Sequence, residues 1–182
     1  MARQAEELRQ EIRTAFNWRP HPGDDHVALG APGCPGDERE DVARFFHGKD
    51  WREITLNLII ESRELDLNAF LYFMSAEGFV YYLPAFLLAS LEVDDRFDLG
   101  EPLAFKLTLP PKGAGETPDP GLEAWRDQYA QVVSALTPAE RRAVTHVLEY
   151  LAHEYDRRNY TWNQARVALD SYWGRVRRDK SS

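Results

Sequence analysis

The fold is decided by residues 75–91, which read SAEGFVYYLPAFLLASL and contain the longest uncharged apolar run of the chain. Ser75 stands where an N-cap is expected, and the apolar residues after it recur at helical spacing on a wide face. The uncharged run, residues 78–91, is shorter than the roughly 18–20 residues that cross a bilayer. We therefore predict a helix over residues 76–91 at the centre of the core. Pro84 should kink it or divide it into two abutting helices.

Amphipathic segments on both sides of this stretch predict further helices. Residues 3–16 place Leu8, Ile12 and Phe16 on one face. In the C-terminal third, apolar stripes over residues 125–136, 144–155 and 162–176 predict three more helices. A capping box at Thr137 with proline at the first helical position opens the second of these, and Thr161 is expected to cap the third.

The remaining segments are less regular. Residues 41–46 predict a short helical turn, and Asp50 should cap a helix over residues 51–61. Residues 65–74 indicate a strand or an extended connection, and residues 103–109 fit a strand or a short helix. The proline- and glycine-rich stretches 18–36 and 110–121 predict irregular loops. The fold class is therefore mainly α: a single domain, residues 1–182, of about six to seven helices around a central apolar helix, with at most a minor strand element.

The charge and the cysteine content of the chain indicate which partners and which cellular compartment to expect. The chain has a formal net charge of −8, and because residues 157–182 carry +5, residues 1–156 carry −13. Such a body repels nucleic acid and attracts basic partners, and the basic tail is interpreted as cations at a helix C-terminus. Cys34 is the one cysteine, which excludes an internal disulfide. The N-terminus has no apolar signal segment, so we expect a cytoplasmic protein with no membrane contact.

Catalytic motifs are missing from the sequence: it contains no P-loop, no G-x-S-x-G and no G-x-G-x-x-G. On one predicted helix, His146, Glu149 and His153 share a face and could ligate a metal, but a solvated polar face explains them better. The loop residues Asp24, Asp25 and His26, with His21 nearby, carry the right atoms for a metal or for acid–base chemistry. Loops also collect aspartate for turn formation alone, so we predict no cofactor and no bound metal.

Several motifs resemble a family. They are Phe46-His-Gly-Lys-Asp-Trp51, Tyr81-Tyr-Leu-Pro-Ala-Phe-Leu-Leu88 and Leu136-Thr-Pro-Ala-Glu140, together with Pro22-Gly-Asp24 and Tyr172-Trp173. They are similar to an uncharacterised bacterial family of small cytoplasmic proteins that is known as a domain of unknown function. The resemblance covers about residues 12–173, and it implies no activity, cofactor or catalytic residue. Of the tyrosine pair, we expect Tyr82 to pack in the core and Tyr81 to be more exposed, at a pocket or interface.

Two functions remain open from the sequence. The first is a non-enzymatic, acidic protein-binding module, in its most concrete version an immunity or antitoxin-type protein that blocks a basic partner through Asp94, Asp95 and Asp98. The alternative is a small enzyme or ligand-binding protein with a site under the 18–36 loop, using Asp24, Asp25 and His26. A structural subunit is a third interpretation.

Overall fold

Helix α5 (Ala76–Ser90) runs through the middle of the fold because its side chains are apolar on nearly every face. Twelve of its 15 residues are buried, and Ser75 caps its first turn by accepting a hydrogen bond from the Gly78 amide at 2.9 Å. The helix is continuous through Pro84, so the predicted division into two helices does not occur. No helix of the described residues is both long and apolar enough to cross a membrane.

A computed structural model describes residues 2–29, 38–62, 67–92, 97–112 and 119–176, and these residues confirm the mainly α class. An isolated antiparallel bridge joins Ala28 and Met74. A π-helical turn, Leu169–Trp173, joins the last two helices. Besides α5, the helices are α1 (Ala2–Phe16), α2 (Glu38–Phe46), α3 (Leu56–Glu61), α4 (Leu67–Phe73), α6 (Gly100–Lys106), α7 (Pro120–Ala135), α8 (Pro138–Arg157), α9 (Gln164–Ala168) and α10 (Gly174–Val176).

Long amphipathic helices surround α5. Helix α8 packs along α1, and the predicted face of α1 is buried, with Ile12 and Phe16 fully inaccessible to solvent. The capping box of α8 is present: Thr137 accepts from the Glu140 amide, and the Glu140 carboxylate accepts from the Thr137 amide. Arg19 adds a bidentate ion pair of 2.6 and 2.7 Å to the same carboxylate, which is completely buried. The pair supplies the counter-charge without which that burial would be strongly destabilising.

Three local predictions were wrong for physical reasons. Residues 65–74 were expected to be extended, but α4 is a helix; packing against both α2 and α6 favours an apolar sequence without a polar face. Asp50 caps only a 3-10 turn, Trp51–Glu53, and α3 begins separately after Thr55. Asn163, not Thr161, caps α9. The ambiguous segment 103–109 continues α6 as far as Lys106.

The segment before Gly30 lies against the start of α5. The Ser75 amide donates to the Val27 carbonyl at 2.9 Å, and the Leu29 amide donates to the Phe73 carbonyl. Gly78 permits this close approach, because a Cβ at that position would overlap the Val27 carbonyl group. The predicted loop 18–36 is therefore irregular but firmly placed over residues 18–29, while residues 30–37 lie outside the described part of the chain.

Candidate functional site

The predicted site residues Asp24, Asp25 and His26 form a short 3-10 turn, and their side chains do not converge. Oδ1 of Asp24 accepts a hydrogen bond from the Gly48 amide at 2.9 Å, and its Oδ2 lies 3.0 Å from Nδ1 of His47. Gly48 has a positive φ of 67°, which a glycine adopts without strain. Asp24 thus ties the loop to the end of α2.

The other two predicted residues face away from Asp24. Nδ1 of His26 lies 3.4 Å from a carboxylate oxygen of Glu77, and Asp25 is exposed to solvent. Of the histidines on α8, His146 pairs with Glu11 of α1, with 2.9 Å between Nδ1 and a carboxylate oxygen. Within the described ranges, no group of three His, Cys, Asp or Glu side chains is arranged to hold a metal ion.

The buried hydroxyl of Tyr82 forms a hydrogen-bond relay with His21, a partly exposed residue of the loop. The Gly23 amide donates to Nδ1 of His21 at 3.0 Å, so in the neutral ring the proton belongs on Nε2, which lies 3.2 Å from the Tyr82 hydroxyl. That hydroxyl has the Lys49 carbonyl as acceptor at 2.7 Å and the Phe46 carbonyl at 3.2 Å. Burial raises the pKa of Tyr82 well above its ordinary value, which keeps the phenol protonated.

Tyr81 is buried beside this relay, which corrects the prediction that it would be more exposed. Its hydroxyl donates to Oδ2 of Asp50 at 3.1 Å. Burial acts to raise the pKa of Asp50, but hydrogen bonds from the Arg52 amide, the Arg52 guanidinium and Tyr81 outweigh it, and the net pKa is lowered. The two motifs at residues 46–51 and 81–88 therefore meet at one corner, where side-chain hydroxyls are hydrogen-bonded to backbone and carboxylate oxygens.

An acidic pocket of about 180 Å³ opens between α8 and the end of α5. It is lined by side chains of two kinds, carboxylates and aromatic rings. Those that matter for its chemistry are Glu92, Asp98, Glu154, Tyr150, Tyr155 and Tyr160.

Asp98 is the one predicted partner-binding residue that the structure describes; Asp94 and Asp95 lie outside the described residues. Oδ1 of Asp98 accepts hydrogen bonds from the Tyr155 hydroxyl at 2.9 Å and from the Gly100 amide at 2.8 Å. The same carboxylate therefore orients a tyrosine at the pocket and accepts a hydrogen bond from the first amide of α6. Burial and the charge of Asp98 both raise the pKa of Tyr155.

Glu154 forms the least satisfied part of the pocket. Its Oε2 accepts from Nη2 of Arg157 at 2.8 Å, and this hydrogen bond lowers the pKa of the carboxyl group. Its Oε1 is buried and has no hydrogen-bond partner among the described residues, although 9% of the side chain is accessible. A buried carboxylate oxygen without a donor is costly, so Glu154 retains capacity for a cation or a donor in the pocket.

Sequence reasoning did not find this pocket. Tyr155 was assigned to the apolar stripe of α8, and it is indeed 4% exposed, but its hydroxyl reaches Asp98, which is 57 residues away in the chain. Tyr160 follows the end of α8 and packs on Tyr155, with ring centroids 5.1 Å apart. A local sequence pattern cannot predict a site that is formed by residues so far apart in the chain.

The fold and this site define an all-helical protein with an acidic, tyrosine-lined pocket. Residues 4–177 match the model of a family of unknown function, DUF6714, and the chain belongs to that family. The resemblance to an uncharacterised domain family is thereby confirmed. No curated protein and no solved structure matches the chain.

Proposed function

We propose that the protein is a non-enzymatic cytoplasmic binding module that blocks a basic partner protein, in the manner of an immunity protein or antitoxin. The single observation that supports this most directly is the unpartnered Oε1 of Glu154 at the wall of the acidic pocket. Arg157 and Arg158 already lie within 4.0 Å of Oε2, and a lysine or arginine side chain of the partner would supply the donor that Oε1 lacks.

Charge favours a basic occupant of this pocket. Its lining contains three carboxylates, from Glu92, Asp98 and Glu154, against one guanidinium, from Arg158. Residues 1–156 add a balance of −13, which attracts a cationic surface over longer distances and accelerates encounter. In this proposal, Asp94 and Asp95, which follow the pocket residue Glu92 closely in sequence, attract the partner electrostatically.

The aromatic lining suits the same occupant. Lysine and arginine carry an apolar stem behind the charged head, and both heads bind favourably to the faces of aromatic rings. Tyr150 and Tyr160 line the pocket beside Glu154 and can contact such a stem. An anchor of this kind, enclosed by aromatic rings and met by a buried carboxylate, is typical of residues that dominate interface energies.

The test is affinity for a partner isolated from the native host. The tagged protein is used to retain partners, a retained basic protein is identified and purified, and its Kd is measured for wild type and Glu154→Gln. We expect Glu154→Gln to weaken binding by about tenfold, the scale of one charged contact. Asp94→Asn with Asp95→Asn should mainly lower the association rate, and more so at low salt.

Glu123→Gln is the matched control, because it removes the same charge from an exposed position on α7, outside the pocket. It should leave the Kd within about twofold of wild type, as expected for a surface substitution. If no basic protein is retained, or if Glu123→Gln and Glu154→Gln weaken binding equally, the proposal is wrong.

A ligand or enzyme site under the 18–36 loop is the second candidate, and one observation favours a version of it. Asp24 is flanked by two imidazoles: Nδ1 of His47 at 3.0 Å and Nε2 of His21 at 3.9 Å. His47 is 74% exposed, so it can reach a ligand and can be replaced without disturbing the core. Asp24 and His47, rather than Asp25 and His26, would then carry the chemistry.

Melting shifts across a panel of metabolites and divalent metals test this second candidate. A compound that binds there should raise the melting temperature of wild type and of His153→Gln, an exposed histidine elsewhere, but not of His47→Gln. The absence of any shift, or equal shifts for all three proteins, contradicts it.

A further inference from the structure

We propose that a second cleft, between α1 and the C-terminal half of α5, binds a small organic anion that joins a carboxylate or phosphate group to an apolar body. The cleft has a volume of about 330 Å³, within the range of small-molecule sites. Its chemistry is opposite to that of the acidic pocket, and the inference does not depend on the proposed function.

Three arginines make the rim of the cleft cationic in an otherwise acidic chain. Arg9 and Arg13 are four residues apart on α1 and so lie on one face, and Arg52 approaches from the turn before α3. Glu92 is the acidic residue of the lining. Guanidinium groups match carboxylate and phosphate oxygens with paired hydrogen bonds, which makes this rim an anion-binding arrangement.

The arginines differ in how fully they are engaged. Arg52 is held in place: Nη2 donates to the backbone and side-chain oxygens of Asn17 at 2.9 and 2.8 Å, and Nη1 donates to both oxygens of Asp50. Arg9 donates a long hydrogen bond to the Leu91 carbonyl, 3.4 Å, and lies 3.5 Å from an exposed Glu6 carboxylate.

Arg13 is uncommitted. Within the described part of the chain it forms neither an ion pair nor a hydrogen bond, although it lines the cleft. A cation without a partner beside two positioned guanidiniums adds net positive charge to the rim. That charge is available to a ligand at little cost in broken contacts.

The floor of the cleft is apolar and contains an unsatisfied donor. Trp51, Ile54 and Ala89 are each less than 5% exposed, and Leu88 completes the surface. The Arg52 guanidinium stacks 4.4 Å above the Trp51 ring. The indole Nε1–H of Trp51 is buried and has no described acceptor. An anion with an apolar body would cover this floor, including the exposed part of the Trp51 indole.

Binding is tested on the full chain with 1-naphthoate, 1-naphthyl phosphate, inorganic phosphate and the neutral 1-naphthalenemethanol. Calorimetry gives the Kd, and the indole N–H signal of Trp51, assigned by its loss in Trp51→Phe, reports the location. We expect at least one naphthyl anion to saturate the protein and to shift that signal, with the neutral analogue and inorganic phosphate at least about tenfold weaker. No saturation by either naphthyl anion at about 10 mM overturns the inference.

Arg13→Gln should weaken binding of the naphthyl anion by about tenfold, because it removes the free cation without breaking an internal contact. Arg3→Gln is the matched control on the same helix, 91% exposed and outside the cleft, and should leave the Kd unchanged. Equal effects of the two substitutions, or an unmoved Trp51 signal, overturn the site. Glu154→Gln should not change this affinity, so its effect on partner binding is separate.

Discussion

The two halves of helix α5 are buried to a similar extent, yet their polar surroundings differ. Around residues 75–82, hydroxyl groups find acceptors: Tyr82 on the Lys49 carbonyl, Tyr81 on Asp50 and Ser75 on the His26 carbonyl. Around residues 88–92, two clefts open, and Glu92 lines both of them. Each is lined by a residue with a buried polar atom that has no described partner: Glu154, through Oε1, in one and Trp51, through Nε1, in the other.

This difference separates polar groups that stabilise the fold from polar groups that remain able to bind a ligand. A polar group with internal partners stabilises one packing arrangement and has little left to offer a ligand. A buried polar group without a partner lowers stability, and a ligand that satisfies it gains the corresponding free energy on binding. The motif corner at the N-terminal half therefore stabilises the fold, whereas the C-terminal half carries the two clefts that we propose as binding sites.

The largest expected effect concerns what the two halves share, the apolar core. Phe86 is fully buried, and its ring centroid lies 6.2 Å from that of Phe79 and 6.3 Å from that of Phe46. Phe86→Ala should reduce the free energy of unfolding by about 3–5 kcal/mol, measured by urea denaturation. Trp173→Ala should cost a similar amount, because Trp173 is also fully buried. A loss under about 1 kcal/mol would contradict the assigned packing.

Lys106 of α6 allows a pH-dependent test of the N-terminal half, because its ammonium group lies 5.8 Å from the ring centroid of Phe79. Burial lowers the pKa of its ammonium group from 10.5 to about 8. Between these values the unfolded chain binds more protons than the folded one, so the free energy of unfolding should rise with pH, by at most about 3 kcal/mol. Comparing wild type with Lys106→Met from pH 7 to pH 10 isolates this rise. If the free energy of unfolding of both proteins shows the same pH dependence, burial does not lower the pKa of Lys106.

The titration of buried tyrosines does not obscure the comparison of wild type with Lys106→Met. Burial raises the pKa of Tyr82 and Tyr155, so their protonated forms favour the folded state until the pH exceeds the ordinary tyrosine value of 10.0. Their contribution is therefore lost only above about pH 10. It is also common to both proteins and cancels in the difference.

Tyr82→Phe tests whether the motif corner is structural. Removing this hydroxyl deprives the Lys49 carbonyl of its donor and His21 of its partner, at an expected cost of about 1–2 kcal/mol in the free energy of unfolding. Tyr81→Phe should cost less, because its acceptor Asp50 remains bonded to Arg52. If both substitutions are neutral, the corner does not hold the fold together.

Glu154→Gln should have the smallest effect on stability, under about 1 kcal/mol, since its pairing with Arg157 lies near the surface. Thermal and urea unfolding measure it directly. The contrast with Tyr82→Phe is informative because both substitutions keep side-chain size. Tyr82→Phe removes a hydroxyl that is fully paired inside the protein, whereas Glu154→Gln changes a carboxylate in which one oxygen has no described partner. A loss larger than that of Tyr82→Phe would show that Glu154 is primarily structural.

Sequence periodicity predicted the elements whose two faces meet different environments. Helices α1, α7 and α8 lie between core and solvent, so their apolar residues recur at 3.6-residue spacing and the pattern predicted all three. The predicted start of α7 was wrong, because the helix begins at Pro120, inside the predicted loop 110–121. Helix α4 packs against other helices and shows no such pattern. Asp50 was correctly identified as a cap, but a cap does not specify whether one turn or three will follow.

The sequence by itself determined the mainly α class, the central place of α5, the capping box at Thr137 and the acidic character of the body, because these depend on local spacing and composition. Only the tertiary structure decided which polar groups meet. Asp24 contacts His47 rather than Asp25 and His26, and the Tyr155 hydroxyl donates to Asp98. Arg9 and Arg13 of α1 line the same cleft as Arg52. Contacts across tens of residues are set by how helices pack, and no periodicity along the chain records them.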